Sequence, residues 1–145
     1  MSKTIKSVFD AMDDIKGVLV SSNIPSSING EIRIAQRRLD STKEDIVINS
    51  LLYDADQKQS GIFNVNIYVP NLSNQTAENP TSKDNTQPNK ERFSEIGEDV
   101  VKALDNYHGH DFSIQLRNPG ELDNYGTKWL YNIEIRYSYL RTDIV

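Results

Sequence analysis

Apolar residues recur along the chain in two different periods. Ile5, Val8, Phe9, Met12, Ile15 and Leu19 are spaced by threes and fours. That spacing predicts an amphipathic helix with Lys6, Asp10, Asp13 and Asp14 on its outer side. Phe93, Ile96, Val100, Ala103, Leu104 and Tyr107 repeat the pattern. Asn89 suits the N-cap of this second helix, and Glu91 the positive end of its dipole. The helix is expected to end near Tyr107, before Gly109.

Elsewhere the period is two. "EIRIAQRR" alternates Ile32 and Ile34 with charged residues and reads as a short strand. "EDIVINSLLYD" reads as a second, more buried strand. In "GIFNVNIYV", Phe63, Val65, Ile67 and Val69 point one way, and Asn64, Asn66 and Tyr68 the other. "DADQKQSG" breaks the second strand from the third and predicts a hairpin with a mobile tip. "DFSIQL" is a short strand with Phe112, Ile114 and Leu116 on one face, and Asn118-Pro119-Gly120 after it is a turn signal. "WLYNIEIRYSYL" is the longest strand, with Trp129, Tyr131, Ile133, Ile135, Tyr137 and Tyr139 on one face. "NIPSSING" is a loop by composition.

The resulting order is α-β-β-β-α-β-β. It predicts a single α+β domain over residues 1–145, with an antiparallel or mixed sheet of four to five strands. Two helices should cover its apolar face. Between Pro70 and Pro88 almost nothing is apolar, so ordering that segment has little burial to offset it. A structureless loop of this length inside a small domain is usually functional or disordered. It reads either as a tolerated surface insertion or as an arm that orders against a neighbouring subunit.

Composition narrows the chemistry. The chain has no cysteine, which excludes disulfide frameworks and cysteine-ligated zinc. At net charge −5 it is unsuited to tight, free binding of nucleic acid. The N-terminus is broken by Asp10, Asp13, Asp14 and Lys16, unlike a signal peptide, and no stretch approaches the ~20 apolar residues of a membrane span. A cytosolic origin is expected.

Candidate sites are few. "HGHD" sets His108, His110 and Asp111 close enough to suggest a metal, although such a pair between helix and strand is more often a solvated turn. Asp54 and Asp56, like Asp13 and Asp14, could bind Mg²⁺ or do acid–base work, but acidic residues are ordinary at a hairpin tip. Arg37, Arg38 and Lys43 form a small basic cluster that could face DNA or merely solvent. Sequons at Asn71 and Asn74 are accidents of an Asn-, Ser- and Thr-rich stretch. No Gly-x-Ser-x-Gly or phosphate-cradling loop is present.

The element order, with "GIFNVNIYVPNL", "PNKERFSEIGEDVVKAL" and "WLYNIEIRYSYLR", resembles the tail terminator, or tail-completion, proteins of long-tailed bacteriophages and prophages over nearly the whole chain. The resemblance implies a structural, non-enzymatic subunit without cofactor. It would form a ring, commonly of six copies, that ends the tail tube and joins it to the head side. Its partners would be itself, the tube protein and a head-completion or neck protein. Genomic DNA would pass through the lumen, and no membrane would be involved. The chain would be assembled in the bacterial cytoplasm and reside in the virion. An acidic lumen suits passage of DNA, since a phosphate-attracting channel would retain it. On this reading the interface residues are Asn71, Leu72 and Lys83 of the long loop, Asp54, Asp56, Lys58 and Gly61 of the hairpin tip, and the apolar end Ile144 and Val145. The alternatives are another phage connector or adaptor, or a small metal-dependent, nuclease-like enzyme using Asp54, Asp56, His108, His110 or Asp111.

Overall fold

A computed structural model describes residues 5–72 and 86–141. Helix α1 (Val8–Val20) starts with a reciprocal cap. The Asp10 amide donates to the Ser7 hydroxyl and the Ser7 amide to the Asp10 carboxylate. Ala11, Met12, Ile15 and Leu19 are buried along it. Two expectations change here. Phe9 is 62% exposed, because it lies about a quarter turn round the helix from the Ile15–Leu19 line. Lys6, expected outside, is only 7% exposed.

The "NIPSSING" loop contains one helical turn, α2 (Ile24–Ser27), which buries Ile24. Strand β1 (Ile32–Ile34) ends where Ala35 adopts φ +68. It pairs in parallel with β2 (Asp45–Tyr53), which forms an antiparallel hairpin with β3 (Lys58–Tyr68). Helix α3 (Lys90–Leu104) is capped by Asn89, whose side-chain oxygen accepts the Arg92 amide at 3.2 Å. It stops earlier than its apolar period suggests. Asp105 is extended and Asn106 takes φ +55, so Tyr107 leaves the helix and pairs with Ile114. Tyr107–His108 is β4, followed by β5 (Phe112–Tyr125) and β6 (Lys128–Leu140).

The fold is α+β, with one mixed six-stranded sheet in the order β1-β2-β3-β6-β5-β4. The expected apolar faces of β3 and β6 form one cluster with residues of α1 and α3. Aromatic rings run through it from Tyr53 to Phe63 (5.8 Å), Tyr137 (5.9 Å) and Phe112 (5.5 Å). Such pairs add roughly 0.5–1.5 kcal/mol each beyond their buried area. Among the described residues no helix is long and apolar enough to cross a membrane.

The expected turn at Asn118-Pro119-Gly120 lies inside β5. Leu116 opposes Ile135, Asn118 opposes Glu134 and Glu121 opposes Asn132, so β5 carries an extra residue in each of two steps. Two insertions restore the face parity, and Leu122 again faces the core side opposite Tyr131. A bulge accepts proline where a regular ladder does not. Gly120 sits at φ +150, and a Cβ there would meet the Tyr131 ring and hydroxyl at 2.0–2.3 Å. Tyr131 in turn packs on Phe93. Gly120→Ala is therefore expected to destabilise by about 2–3 kcal/mol. Thermal unfolding checks this; an unchanged midpoint would show that the bulge relaxes freely.

The opposite sheet face is polar along its middle, with Val47 and Ile62 buried beside the polar pairs. Across β3 and β6, Ser60 opposes Ser138, Asn64 opposes Glu134 and Asn66 opposes Asn132. The Asn132 amide donates to Asn64 (3.1 Å) and Asn66 (2.7 Å), and Arg117 reaches Glu134 at 3.7 Å. These cross-strand pairs satisfy a face the helices leave open. The β1–β2 connection lies on this side, with the Arg37 guanidinium 4.6 Å over the Tyr68 ring.

Candidate functional site

Three polar networks position the two ends of the sheet. At the hairpin-tip end, the Lys6 amide donates to Gln59 Oε1 (2.8 Å), and its carbonyl accepts from Gln59 Nε2 and the Tyr53 hydroxyl, both at 3.1 Å. Lys6 Nζ reaches Asp14 at 2.6 Å and Asp111 at 3.2 Å, and lies 4.4 Å over the Tyr139 ring. The Tyr137 hydroxyl donates to the same Asp14 oxygen. Burial works to lower the Lys6 pKa, but its bonds to Asp14 and Asp111 outweigh that and raise it. Burial, reinforced by Asp14, pushes the Tyr137 phenol well up; burial likewise takes Tyr53 to about 12. An ammonium held this way is a poor nucleophile and a poor base at neutral pH. The cluster anchors the start of α1 to β3, β5 and β6.

At the other end, Asp45 is 2% exposed. One carboxylate oxygen accepts the Glu31 amide (2.8 Å); the other accepts Arg37 Nε (2.8 Å) and the Ser41 hydroxyl. Burial opposes its ionisation, yet the bonds from Ser41, Arg37 and Glu31 hold its pKa below the usual range. Arg37 also donates to the Lys43 carbonyl (2.7 Å) and reaches the Tyr125 hydroxyl (3.4 Å). The predicted basic cluster is thus divided: Arg37 serves the crossover, and Arg38 lies 4.0 Å from Glu31. The third network pairs Arg92 with both Glu44 oxygens (2.6 and 2.9 Å) and with the Ser27 carbonyl (2.6 Å), tying α3 to α2 and β2.

The tip residues divide. Asp54 accepts the Ser60 amide (3.1 Å) and the Asp56 amide (3.3 Å), so its carboxylate shapes the turn. Asp56 is exposed, as is Lys58, which is the first residue of β3 and so part of the strand. Gly61 is buried within β3 between Tyr53 and Tyr137, because the ladder extends further toward the tip than composition suggests. It is not surface.

The loop residues hold the base of the polar segment. Asn71 Nδ2 donates to the Thr127 carbonyl (2.6 Å), the Leu72 amide donates to Gln87 (2.9 Å), and Trp129 Nε1 to Thr86 (2.8 Å). Residues 73–85, with Asn74 and Lys83, and residues 142–145, with Ile144 and Val145, lie outside the described residues.

His108 and His110 are exposed, and His108 faces Asn106 at 3.2 Å. Asp111 instead faces Lys6. Among the described residues, no three His, Asp or Glu side chains form a group able to hold a metal.

Sequence reasoning missed several exposed apolar side chains. Leu51 and Leu52 are 57% and 64% exposed near the end of β2, and Leu140 is 62% exposed at the end of β6. Phe9 and Ile5 flank the anchored Lys6 at the same end. Two adjacent leucines in an alternating strand cannot both face one core, and the ladder slips by one residue between Ser50 and Leu52. That was the available signal. The Arg37–Tyr68–Tyr125 group offered none, because its members are far apart in sequence.

No family model matches the sequence, and no curated protein does. Among solved structures, the nucleotide-free catalytic domain of histidine kinase ThkA aligns over 97% of this chain and 97% of its own, at 13% identity and a TM-score of 0.27. A superposition this loose carries no argument about fold or activity.

Proposed function

We propose that the chain is a structural ring subunit of a long-tailed phage. It would end the tail tube, join it to the neck, and line part of the path that DNA takes. The supporting observation is a set of exposed apolar side chains toward the hairpin-tip end of the sheet, with Leu52 and Leu140 on the face turned away from the helices and Ile5 and Phe9 at the start of α1. Leu51, Leu52, Leu140, Ile5 and Phe9 are all substantially exposed there. Large apolar side chains left open on both sides of one end of a sheet are available for contact with neighbouring subunits. Asp56 and Lys58, beside them, are available to frame the contact; Leu72 (43% exposed) lies past the far end of β3 and would belong to a separate contact. The carboxylates of Asp54 and Asp111 are engaged in a turn and an ion pair, which favours assembly over the nuclease-like alternative.

Light scattering on the purified chain, alone and with tail tubes, tests this reading. Wild type is expected to form a closed ring, or to join tubes as one. Leu51→Ser with Leu52→Ser should lose the association while stability changes by no more than about 1 kcal/mol, since both side chains are already exposed. A protein that stays monomeric and never associates with tubes would sink the proposal.

A further inference from the structure

A second feature lies at the opposite end of the sheet. A cavity of ≈ 260 Å³ opens between the β1–β2 crossover and the β5–β6 turn. Arg37, Ser41, Tyr125, Thr127 and Lys128 line its polar side, and Val69 and Pro70 form an apolar wall. Among the described residues, no carboxylate lines it.

We propose that this cavity binds a small oxyanion, a carboxylate or phosphate group, through Arg37, Tyr125 and Lys128. The guanidinium of Arg37 is fixed on three sides: Nε on Asp45, Nη2 on the Lys43 carbonyl, and its face on Tyr68. Its Nη1 is the donor left toward the cavity, where it meets the Tyr125 hydroxyl at 3.4 Å. Tyr125 is itself set edge-on against Tyr68, with ring centres 5.9 Å apart. Asp45 offsets the charge of Arg37, and both its oxygens already accept hydrogen bonds. Lys128 therefore leaves the site with a net positive charge in a chain whose total is −5. Burial raises the Tyr125 pKa, which keeps the phenol a donor at neutral pH. With one edge of the guanidinium spent on Asp45 and Lys43, the site offers single donors rather than a flat fork. The cavity is smaller than the roughly 300–1,000 Å³ of drug-sized sites, so it suits a small acid or a single charged group. Nothing in this inference depends on ring formation.

The test is an amide NMR titration of the full chain with sodium acetate and, separately, inorganic phosphate, at constant ionic strength with chloride. Saturable shifts at Ser41, Tyr125, Thr127 and Lys128 with either anion support the site, and the anion that saturates at lower concentration identifies the group. Lys128→Gln and Tyr125→Phe should each weaken binding about five- to tenfold, the loss of one charge-assisted donor. Arg37→Gln is not the deciding variant, because it also strips Asp45 of its partner. Shifts that never saturate, that spread equally to Arg38 and Lys58, or that persist unchanged in both variants would overturn the proposal.

Discussion

Asp45→Ala is expected to be the most damaging single change at the open end of the sheet, lowering unfolding free energy by about 3–5 kcal/mol. The carboxylate is almost wholly buried and accepts from Glu31, Arg37 and Ser41. Removing it strands one amide, one hydroxyl and one guanidinium edge, each of which must then find water or stay unpaired. Gly30 packs tightly here: a Cβ would lie 2.2 Å from the Asp45 carboxylate. The pH dependence follows from the direction of the shift. The folded pKa lies below the ordinary 3.8, so the stabilisation is complete above the unfolded value and disappears as pH falls through the folded one. Urea unfolding of wild type and Asp45→Asn, taken from neutral pH down to about pH 2, should show the two curves converging at the acid end. A gap that stays constant with pH would mean that the charge is not the source.

The second large effect belongs to Lys6. Lys6→Met should cost about 2–4 kcal/mol, at the lower side of a broken buried pair because Asp14 and Asp111 are each about a quarter exposed. Hydrogen exchange should quicken in α1 around Asp14, which Lys6 Nζ ties to Asp111; the backbone bonds of residue 6 to Gln59 and Tyr53 survive the substitution. Adding Asp111→Asn to Lys6→Met should recover part of the loss by removing one orphaned charge. Here the folded pKa lies above the ordinary 10.5, so the pair stabilises fully below the unfolded value and fails as pH rises through the folded one. The wild-type advantage should therefore persist across neutral pH and vanish only in strong base. No loss of stability at all would show that the two carboxylates are as well solvated without the lysine as with it.

Much of this architecture was legible locally. Alternation from Trp129 to Tyr139 identifies the core face of β6, because side chains in a strand point to opposite faces at every step and only one face is roofed by helices. The Asn89 cap, the stripes of α1 and α3, and the inward set of β3 are local for the same reason. Each depends on neighbours a few residues away.

What the chain alone left open was decided by contacts distant in sequence. Asn118-Pro119-Gly120 satisfies a bulge as well as a turn. β6 is long enough to offer partners beyond Leu116, so the ladder continues to Tyr125 and Tyr131 closes over Gly120. Tyr107 fits the helical period but gains a strand partner in Ile114. Lys6 carries a charge that periodicity assigns to solvent, and the carboxylates of Asp14 and of Asp111, 105 positions away, make its burial tolerable. Arg37 and Tyr125, 88 positions apart, meet because β3, β6 and β5 lie side by side. Periodicity reports which face of an element is apolar; which faces, edges and charges then meet is set by the packing of the whole sheet.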